Sequence, residues 1–344
     1  MQRREFSKKV TAAFGSLPLW TVAGTDTKQT LIKPPALKMG DRVGLIAPGS
    51  PFGDKQIIRA QEHARSLGLE PVFGAHIRAA KGYLAGTDQE RLQDLHEMFF
   101  DPEIKAVWCI RGGYGCTRLL PLIDYERIRS NPKPLIGYSD ITALHIALHK
   151  HAGLLTFHGP VASSDPSSYT LAYLRKALFS GQPYVIEMAE ENAQLSANRQ
   201  EFRWKVWKSG TARGQLIGGN LSLLAALSGS PYAASFAGKI VYIEDIGEKP
   251  YRIDRLITQL KQSSDLEQAA AILFGVFNDC EAKPGERSLT LQETLEDHFS
   301  AYSQPVAYGF SFGHIDHQFT LPVGIEAEVN LDTRTIHILE SPVA

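Results

Sequence analysis

The sequence has 344 residues, 43% of them hydrophobic and 21% charged, which is the composition of a globular protein long enough for two domains. Its formal net charge of −1 argues against a basic nucleic-acid-binding surface and against an acidic, disordered chain. No run reaches the roughly 18 apolar residues of a membrane-spanning helix, so no stable membrane insertion is expected.

Three cysteines, Cys109, Cys116 and Cys280, are too few for a disulfide-based scaffold. Their number is odd, so at least one thiol is free or paired between chains. There is no CxxC motif, and no group of cysteines and histidines has the spacing of a zinc site.

Residues 1–24 are predicted to be a twin-arginine (Tat) signal peptide. Adjacent arginines at positions 3 and 4 precede a mildly apolar stretch, Val10–Ala23, which ends in small residues. The pattern predicts export to the periplasm, with residues 25–36 as a linker. The alternative is an amphipathic extension of a cytoplasmic protein.

Residues 37–165 alternate short apolar runs with helical patterns, which predicts βαβ units and a parallel sheet. The apolar runs end in loop residues, and the helical stretches place apolar residues on one face. The predicted strands are Val43–Ala47, Ala106–Ile110 and Pro134–Gly137, and the predicted helices are Ile57–Leu67, Arg91–Phe100 and Ile141–His151.

The pattern loosens over residues 166–203, which are predicted to link this first domain to a second α/β domain at residues 204–344. The second domain has predicted strands at Ile240–Ile243, Ala270–Val276 and Val306–Phe310, and predicted helices at Ile253–Lys261 and Leu289–Phe299. Phe319–Val323 and Ile325–Leu339 alternate apolar and polar residues, which predicts an antiparallel hairpin with its turn at Asp332.

Ser139 follows a predicted strand and begins a predicted helix, in Gly137-Tyr-Ser-Asp140. A tight strand–turn–helix connection exposes a serine hydroxyl beside backbone N–H groups, which suits a nucleophile. The alternative is a helix N-cap, a position that serine favours. The GxSxG motif is only half present, because Ile141 replaces the second glycine. His145, on the predicted helix, is expected to be a surface or packing group.

Arg111-Gly-Gly-Tyr-Gly115 also follows a predicted strand. Its glycines allow the backbone to approach a ligand closely, with one N–H group facing an oxyanion. The alternatives are a plain tight turn or a phosphate-binding loop, although the motif lacks both the GK[ST] ending and the full GxGxxG pattern.

Side chains capable of acid–base chemistry lie at the ends of two further apolar strands. Glu244 and Asp245 end one strand, where ligand sites of α/β sheets lie; strand alternation allows only one of them to face such a site. His314 follows another and could act as a base if a carboxylate fixes its tautomer. The alternatives are a surface turn for Glu244 and a metal site of His314, Asp316 and His317.

In chain order, these motifs resemble the LD-carboxypeptidase family of serine peptidases, which includes murein tetrapeptide carboxypeptidases and microcin C immunity peptidases. The resemblance covers most of the chain from about Leu37. The motifs that carry it are Ile46–Ser50, Ala85–Asp88 with Arg91, Arg111–Gly115, Gly137–Asp140, His158–Pro160, Gly218–Leu221, Tyr242–Asp245, Phe312–His314 and Leu321–Gly324.

The resemblance implies an α/β fold with a Rossmann-like N-terminal parallel-sheet domain and a smaller, strand-rich C-terminal α/β domain of the swivelling type. It implies a triad of Ser139, Glu244 and His314. The backbone N–H groups of Asp140 and Gly113 are the expected oxyanion hole.

It further implies hydrolysis of an L,D-amide bond, with release of the terminal D-alanine of peptidoglycan tetrapeptides, without a metal or organic cofactor. Gly112, Tyr114 and Asn220 are the candidate contacts to this muropeptide substrate. A homodimer is expected, and no nucleic-acid partner. Two alternatives remain: a peptidase for a peptidyl-nucleotide antibiotic of the microcin C type, and a non-catalytic muropeptide-binding protein.

Overall fold

The computed structural model describes residues 31–344, so the predicted signal peptide at residues 1–24 lies outside the described residues. The strands of the described part are β1 (Arg42–Ile46), β2 (Glu70–Phe73), β3 (Ile104–Cys109), β4 (Leu135–Gly137), β5 (Thr156–His158), β6 (Tyr184–Ile186), β7 (Lys205–Lys208), β8 (Thr211–Asn220), β9 (Ile240–Glu244), β10 (Ala271–Val276), β11 (Val306–Gly313), β12 (Leu321–Val323), β13 (Glu326–Asn330) and β14 (Thr335–Ile338).

Helices connect these strands. They are α1 (Asp54–Ser66), α2 (Asp88–Phe100), α3 (Tyr125–Arg129), α4 (Thr142–Ala147), α5 (Ser168–Phe179), α6 (Glu190–Leu195), α7 (Leu221–Leu227), α8 (Pro250–Ser263) and α9 (Leu291–Phe299). Helix α2 begins three residues earlier than predicted because Thr87 and Glu90 form a capping box at its start.

The first sheet has the order β12-β5-β4-β3-β1-β2, and its five strands β1–β5 are parallel. Strands β1 and β3 are almost continuous runs of buried apolar residues, as expected for a parallel sheet covered on both faces. All three predicted strands of this region are present. The sequence pattern did not indicate β2 or β5, because β2 is a partly exposed edge strand and β5 has only three residues.

The predicted helix Ile141–His151 is instead a succession of three short turns. It begins as a 3₁₀ turn at Ser139–Ile141, continues as α4 and ends as a π-type turn at Leu148–Ala152. Apolar spacing alone does not distinguish these turns, whose hydrogen bonds span three, four and five residues respectively.

The second sheet has the order β6-β14-β13-β8-β9-β10-β11-β7. Its four central strands, β8–β11, are parallel, and antiparallel strands extend it on both sides. This parallel-sheet region and strand-rich second sheet confirm the predicted fold class. Because β8, β9 and β11 are parallel, their carboxyl ends lie at the same edge and bring together the residues that end them.

The C-terminal segment is shared between the two sheets. Strands β13 and β14 form the predicted antiparallel hairpin. Strand β12, predicted to belong with them, pairs antiparallel with β5 of the first sheet. One hydrophobic cluster spans both sheets, from Leu37 to Val343.

Residues 166–203, predicted as a linking region, contain regular structure. Helix α5 buries Tyr173, Leu174 and Leu178, and β6 is an edge strand of the second sheet. Upstream, Ile32 accepts a hydrogen bond from Leu155 N–H at 2.9 Å, so the described end of the predicted 25–36 linker packs on the first sheet. Among residues 31–344, no helix is both long and apolar enough to cross a membrane.

Candidate active site

Ser139 occupies a strained turn between β4 and α4. Its φ angle is 65°, in the left-handed region that residues other than glycine rarely adopt. The helix caps are Tyr138 for the 3₁₀ turn and Ile141 for α4, and neither uses a side-chain hydrogen bond. Ser139 therefore is not a helix N-cap, which was the alternative interpretation of its sequence position. Its turn has the strand–turn–helix form of a nucleophile elbow.

The segment Arg111–Gly115, called the glycine loop below, lies directly beside this serine. A Cβ atom on Gly112 would lie 2.9 Å from Ser139 Cβ and 3.1 Å from both Ser139 Oγ and the backbone N of Asp140. A Cβ atom on Gly113 would overlap the side chain of Ser50. Gly112 can thus approach Ser139, and Gly113 can approach Ser50, only because neither glycine has a side chain.

Two buried charged side chains hold the glycine loop in place. Asp140 Oδ2 accepts the N–H of Cys116 at 2.9 Å, and burial raises the pKa of this carboxyl. Arg91 donates to the carbonyl oxygens of Gly115, at 3.0 Å, and of Pro48. Its side chain, which is fully buried, therefore joins the loops that follow β1 and β3.

His145 is a buried support of the serine turn, a role that the sequence did not reveal. Its Nε2 lies 2.8 Å from the carbonyl oxygen of Gly137, and its Nδ1 lies 2.8 Å from Thr156 Oγ1. Burial lowers the pKa of His145 to about 3, so the ring is neutral. The neutral ring can donate to the Gly137 carbonyl and accept from Thr156, which fixes the end of β4.

Glu244, which is fully buried, and His314, whose side chain is 14% exposed, form a pair at the carboxyl ends of β9 and β11. His314 Nδ1 lies 2.7 Å from Glu244 Oε2. Burial opposes the charge on His314, but the neighbouring carboxylate outweighs it and raises the pKa of His314. Burial likewise opposes the charge on Glu244, yet the positive imidazole lowers its pKa. With Nδ1–H donated to Glu244, Nε2 of the neutral ring is left as the proton acceptor.

Asp245 is held by Asn220 and by Ser222. Its Oδ2 accepts the N–H of Ser222 at 2.9 Å and the Ser222 hydroxyl at 2.8 Å, at the start of α7. Burial, with the nearby charge of Glu244, raises the pKa of Asp245 to about 6. Glu248 pairs with Arg252. Of these three carboxylates, Glu244 is the one against His314.

Asn220 is buried between the two carboxylates. Its Nδ2 donates to Asp245 Oδ1 at 2.9 Å and to Glu244 Oε1 at 3.3 Å, and its Oδ1 accepts the N–H of Leu223. These bonds orient Glu244, while a contact between Asn220 and substrate stays a prediction. Tyr114, another candidate contact, is 52% exposed and packs edge-on against Tyr83.

Direct contacts join the serine turn to the Glu244–His314 pair. The ring of Tyr138 packs against that of His314 with 4.7 Å between centroids. Thr142 Oγ1 accepts the N–H of Asn220 at 3.0 Å. Within the described residues, Ser139 and His314 make no hydrogen bond to each other; such bonds are often long in ligand-free enzymes and shorten with substrate.

No group of three histidine, cysteine or carboxylate side chains suited to hold a metal occurs within residues 31–344. His314 of the proposed His314–Asp316–His317 metal site has its Nδ1 engaged by Glu244. The three cysteines are buried, free thiols.

Comparison with known proteins identifies both halves of the chain. Residues 43–159 match the LD-carboxypeptidase N-terminal domain, and residues 213–329 match the LD-carboxypeptidase C-terminal domain. A probable murein peptide carboxypeptidase of Bacillus subtilis is 41% identical over 91% of this chain and 95% of its own length. A murein tetrapeptide carboxypeptidase of Pseudomonas aeruginosa is 37% identical over 79% of this chain and 88% of its own length.

Solved structures show the same architecture. The microcin C7 self-immunity protein MccF superposes with a TM-score of 0.81 and 27% sequence identity, over 91% of this chain and all of its own.

Proposed function

This chain belongs to the LD-carboxypeptidase family of serine peptidases, and from that premise we propose that it removes the terminal D-alanine of murein tetrapeptides with a Ser139–Glu244–His314 triad. The similarity to murein peptide carboxypeptidases over nine-tenths of the chain supports the substrate class. The observation that carries the catalytic assignment is Ser139, which is held at a φ of 65° beside the glycine loop.

In the proposed reaction each of the three residues has one role. As Ser139 Oγ attacks the scissile carbonyl, His314 Nε2 takes its proton. Glu244, fully buried and bonded to Nδ1, holds the imidazole and stabilises its charged form. The scissile C–N bond then breaks, and His314 returns the proton to the leaving amine of D-alanine. Water hydrolyses the acyl-enzyme by the same sequence and regenerates the Ser139 hydroxyl.

The negative charge on the carbonyl oxygen needs donors that are in place before the reaction. We assign this role to the backbone N–H groups of Asp140 and Gly113. Gly112 lies against both Ser139 Oγ and Asp140 N, which supports the placement of this loop at the oxyanion. Loss of one such donor typically costs about 10²–10³ in rate.

A peptidyl-nucleotide substrate is the second candidate, supported by the fold shared with the microcin C7 self-immunity protein. It would use the same triad and differ only in the residues that surround it. The similarity to murein peptidases is closer, at 41% and 37% identity, and favours the muropeptide.

A comparison of three substrates with the purified protein tests the proposal. The substrates are a murein tetrapeptide ending in D-alanine, the same peptide ending in L-alanine, and a peptidyl-adenylate analogue of the microcin C type. Release of alanine from the D-terminated peptide alone is expected. Preferential cleavage of the nucleotide analogue would reject the murein assignment.

We also propose export to the periplasm by the Tat route. Support comes from the sequence alone, through the adjacent Arg3 and Arg4 and the apolar stretch that follows. Replacement of both arginines by lysine is expected to retain the protein in the cytoplasm in cell fractionation. Equal periplasmic amounts of both forms would contradict Tat export. The homodimer stays a prediction.

A further inference from the structure

A cavity of about 450 Å³ lies beside His314, within the size range of small-ligand sites. Helix α6 and the residues that follow it form one wall, and the segments after β10 and β11 form the other. Its lining residues include Asn192, Arg199, Asn278, His314, Asp316 and His317.

His314 lines the cavity and is also the residue that the leaving group is expected to approach. In the proposed mechanism His314 delivers its proton to the nitrogen of the departing amino acid. That amino acid must therefore lie against His314, and in a carboxypeptidase it carries a free carboxylate. A cavity that His314 helps to line is the natural place for this group.

Arg199 is the one arginine or lysine among the described residues that line the cavity. Its Nε and Nη2 lie 2.8 Å and 2.6 Å from Glu201 Oε1, and Nη2 also donates to Asn278 Oδ1 at 2.9 Å. The guanidinium lies over the ring of Phe202, 4.6 Å from its centroid. These contacts fix its orientation and leave both N–H groups of Nη1 without a partner in the described part of the chain.

Two buried polar atoms, one in each wall of the cavity, have no hydrogen-bond partner within residues 31–344. Asn192 is 5% exposed, and its Nδ2 donates to the carbonyl oxygen of His317 at 2.8 Å. The two atoms are its Oδ1 and the Nδ1 of His317. Buried polar atoms are almost always satisfied in folded proteins, by a ligand or water if not by the protein.

Binding of a carboxylate in this cavity depends on hydrogen bonds of defined geometry, because the surrounding charges do not attract it. Glu201 balances the charge of Arg199, and the carboxylates of Glu191 and Asp316 also line the cavity. The overall field therefore does not attract anions. A carboxylate is held there only if it meets the two N–H groups of Nη1, in the planar geometry that guanidinium groups offer.

We infer that Arg199 binds the terminal carboxylate of the substrate and makes the enzyme a carboxypeptidase. The inference rests on the proposed function, because it needs a peptide with a free C-terminus as substrate. Arg199 is a specificity-determining residue that contacts the leaving amino acid.

The test compares a murein tetrapeptide ending in D-alanine with its C-terminal carboxamide. The wild-type protein is expected to favour the free acid by about 10- to 100-fold in kcat/KM, the range of a hydrogen bond to a charged group. The double variant Arg199→Met, Glu201→Gln leaves no unpaired carboxylate. It is expected to lose this preference, mainly through a higher KM for the acid, so that acid and amide are cleaved with similar kcat/KM.

Two further variants make the result specific. Arg203→Met removes a nearby arginine that does not line the cavity and is expected to keep the wild-type preference. Arg199→Lys keeps the positive charge and is expected to retain part of the preference for the free acid. An active double variant with the wild-type acid-to-amide ratio would overturn the inference alone. A wild-type protein that releases no D-alanine would overturn the proposed function, and this inference with it.

Discussion

The hydrogen bond between Glu244 and His314 governs how the proposed base responds to pH. Only the neutral imidazole can take the proton of Ser139, and Glu244 raises the pKa of His314 above its ordinary value of 6.5. The value of kcat/KM should therefore rise with pH through a midpoint above 6.5. A midpoint below this value would contradict the pairing.

Glu244→Gln should separate the effect of the negative charge of Glu244 from the effect of its hydrogen bond to His314. The variant keeps a hydrogen-bonding group but removes the charge, so the midpoint of the pH profile should fall. The rate should drop by about 10³–10⁴-fold with the fold intact, as when the carboxylate of other triads is neutralised. Circular dichroism checks the fold. Near-normal activity would reject the role of Glu244.

The φ angle of Ser139 makes a prediction about stability. A left-handed conformation costs residues other than glycine roughly 1–2 kcal/mol. Ser139→Gly should therefore be more stable than Ser139→Ala by about 1 kcal/mol in urea unfolding. The same pair of substitutions at Ser300, whose φ is −60°, provides the control. There the alanine variant should be the more stable, and the same order at both positions would show that Ser139 is unstrained.

The sequence indicated the proposed catalytic residues better than the residues that hold them in position. Ser139, Glu244 and His314 could be singled out because each follows an apolar strand. The strain at Ser139 and the function of His145 depend on contacts that sequence spacing does not reveal. His145 bonds to Gly137 and Thr156, and only the packing of β4 beside β5 brings these together.

At the scale of elements, the glycine loop must lie close to the serine turn. Gly112→Ala would place a methyl group 2.9 Å from Ser139 Cβ and 3.1 Å from Oγ. The loop would have to move, and its oxyanion donor with it, so kcat should fall by at least about 10²-fold. Unfolding in urea should show that the variant is folded.

Gly53→Ala is the matched control for this substitution. Its φ angle is −98°, which alanine adopts without strain, and the nearest atom to an added Cβ is the end of the Gln56 side chain at 3.5 Å. Activity should be unchanged. Equal activity of the two alanine variants would place the oxyanion hole elsewhere.

Long, strongly patterned elements were the ones that the sequence predicted well. Strands β1, β3, β9 and β10 were found because they are continuous apolar runs. Strand β12 was assigned to the wrong sheet, because alternation shows which residues of a strand are buried but not which neighbour it pairs with. Helix α5 was missed because its polar flanks, rich in serine and proline, resemble a loop.

At the scale of the molecule, the two sheets share one hydrophobic cluster, and β12 returns the chain from the second sheet to the first. Unfolding should therefore be a single cooperative transition. Single-tryptophan variants that keep either Trp108, in β3, or Trp207, in β7, report on the two sheets separately. Their fluorescence midpoints in urea should coincide; separate midpoints would show that the sheets unfold independently.

The central claim is that Ser139 is the nucleophile of an enzyme that releases D-alanine from murein tetrapeptides. The most direct measurement is D-alanine release by the wild-type protein and by Ser139→Ala, with both shown to be folded. Release by the wild-type protein that disappears in the variant is the predicted result. Release that persists in Ser139→Ala would contradict the assignment of the nucleophile, and no release by either protein would contradict the proposed reaction.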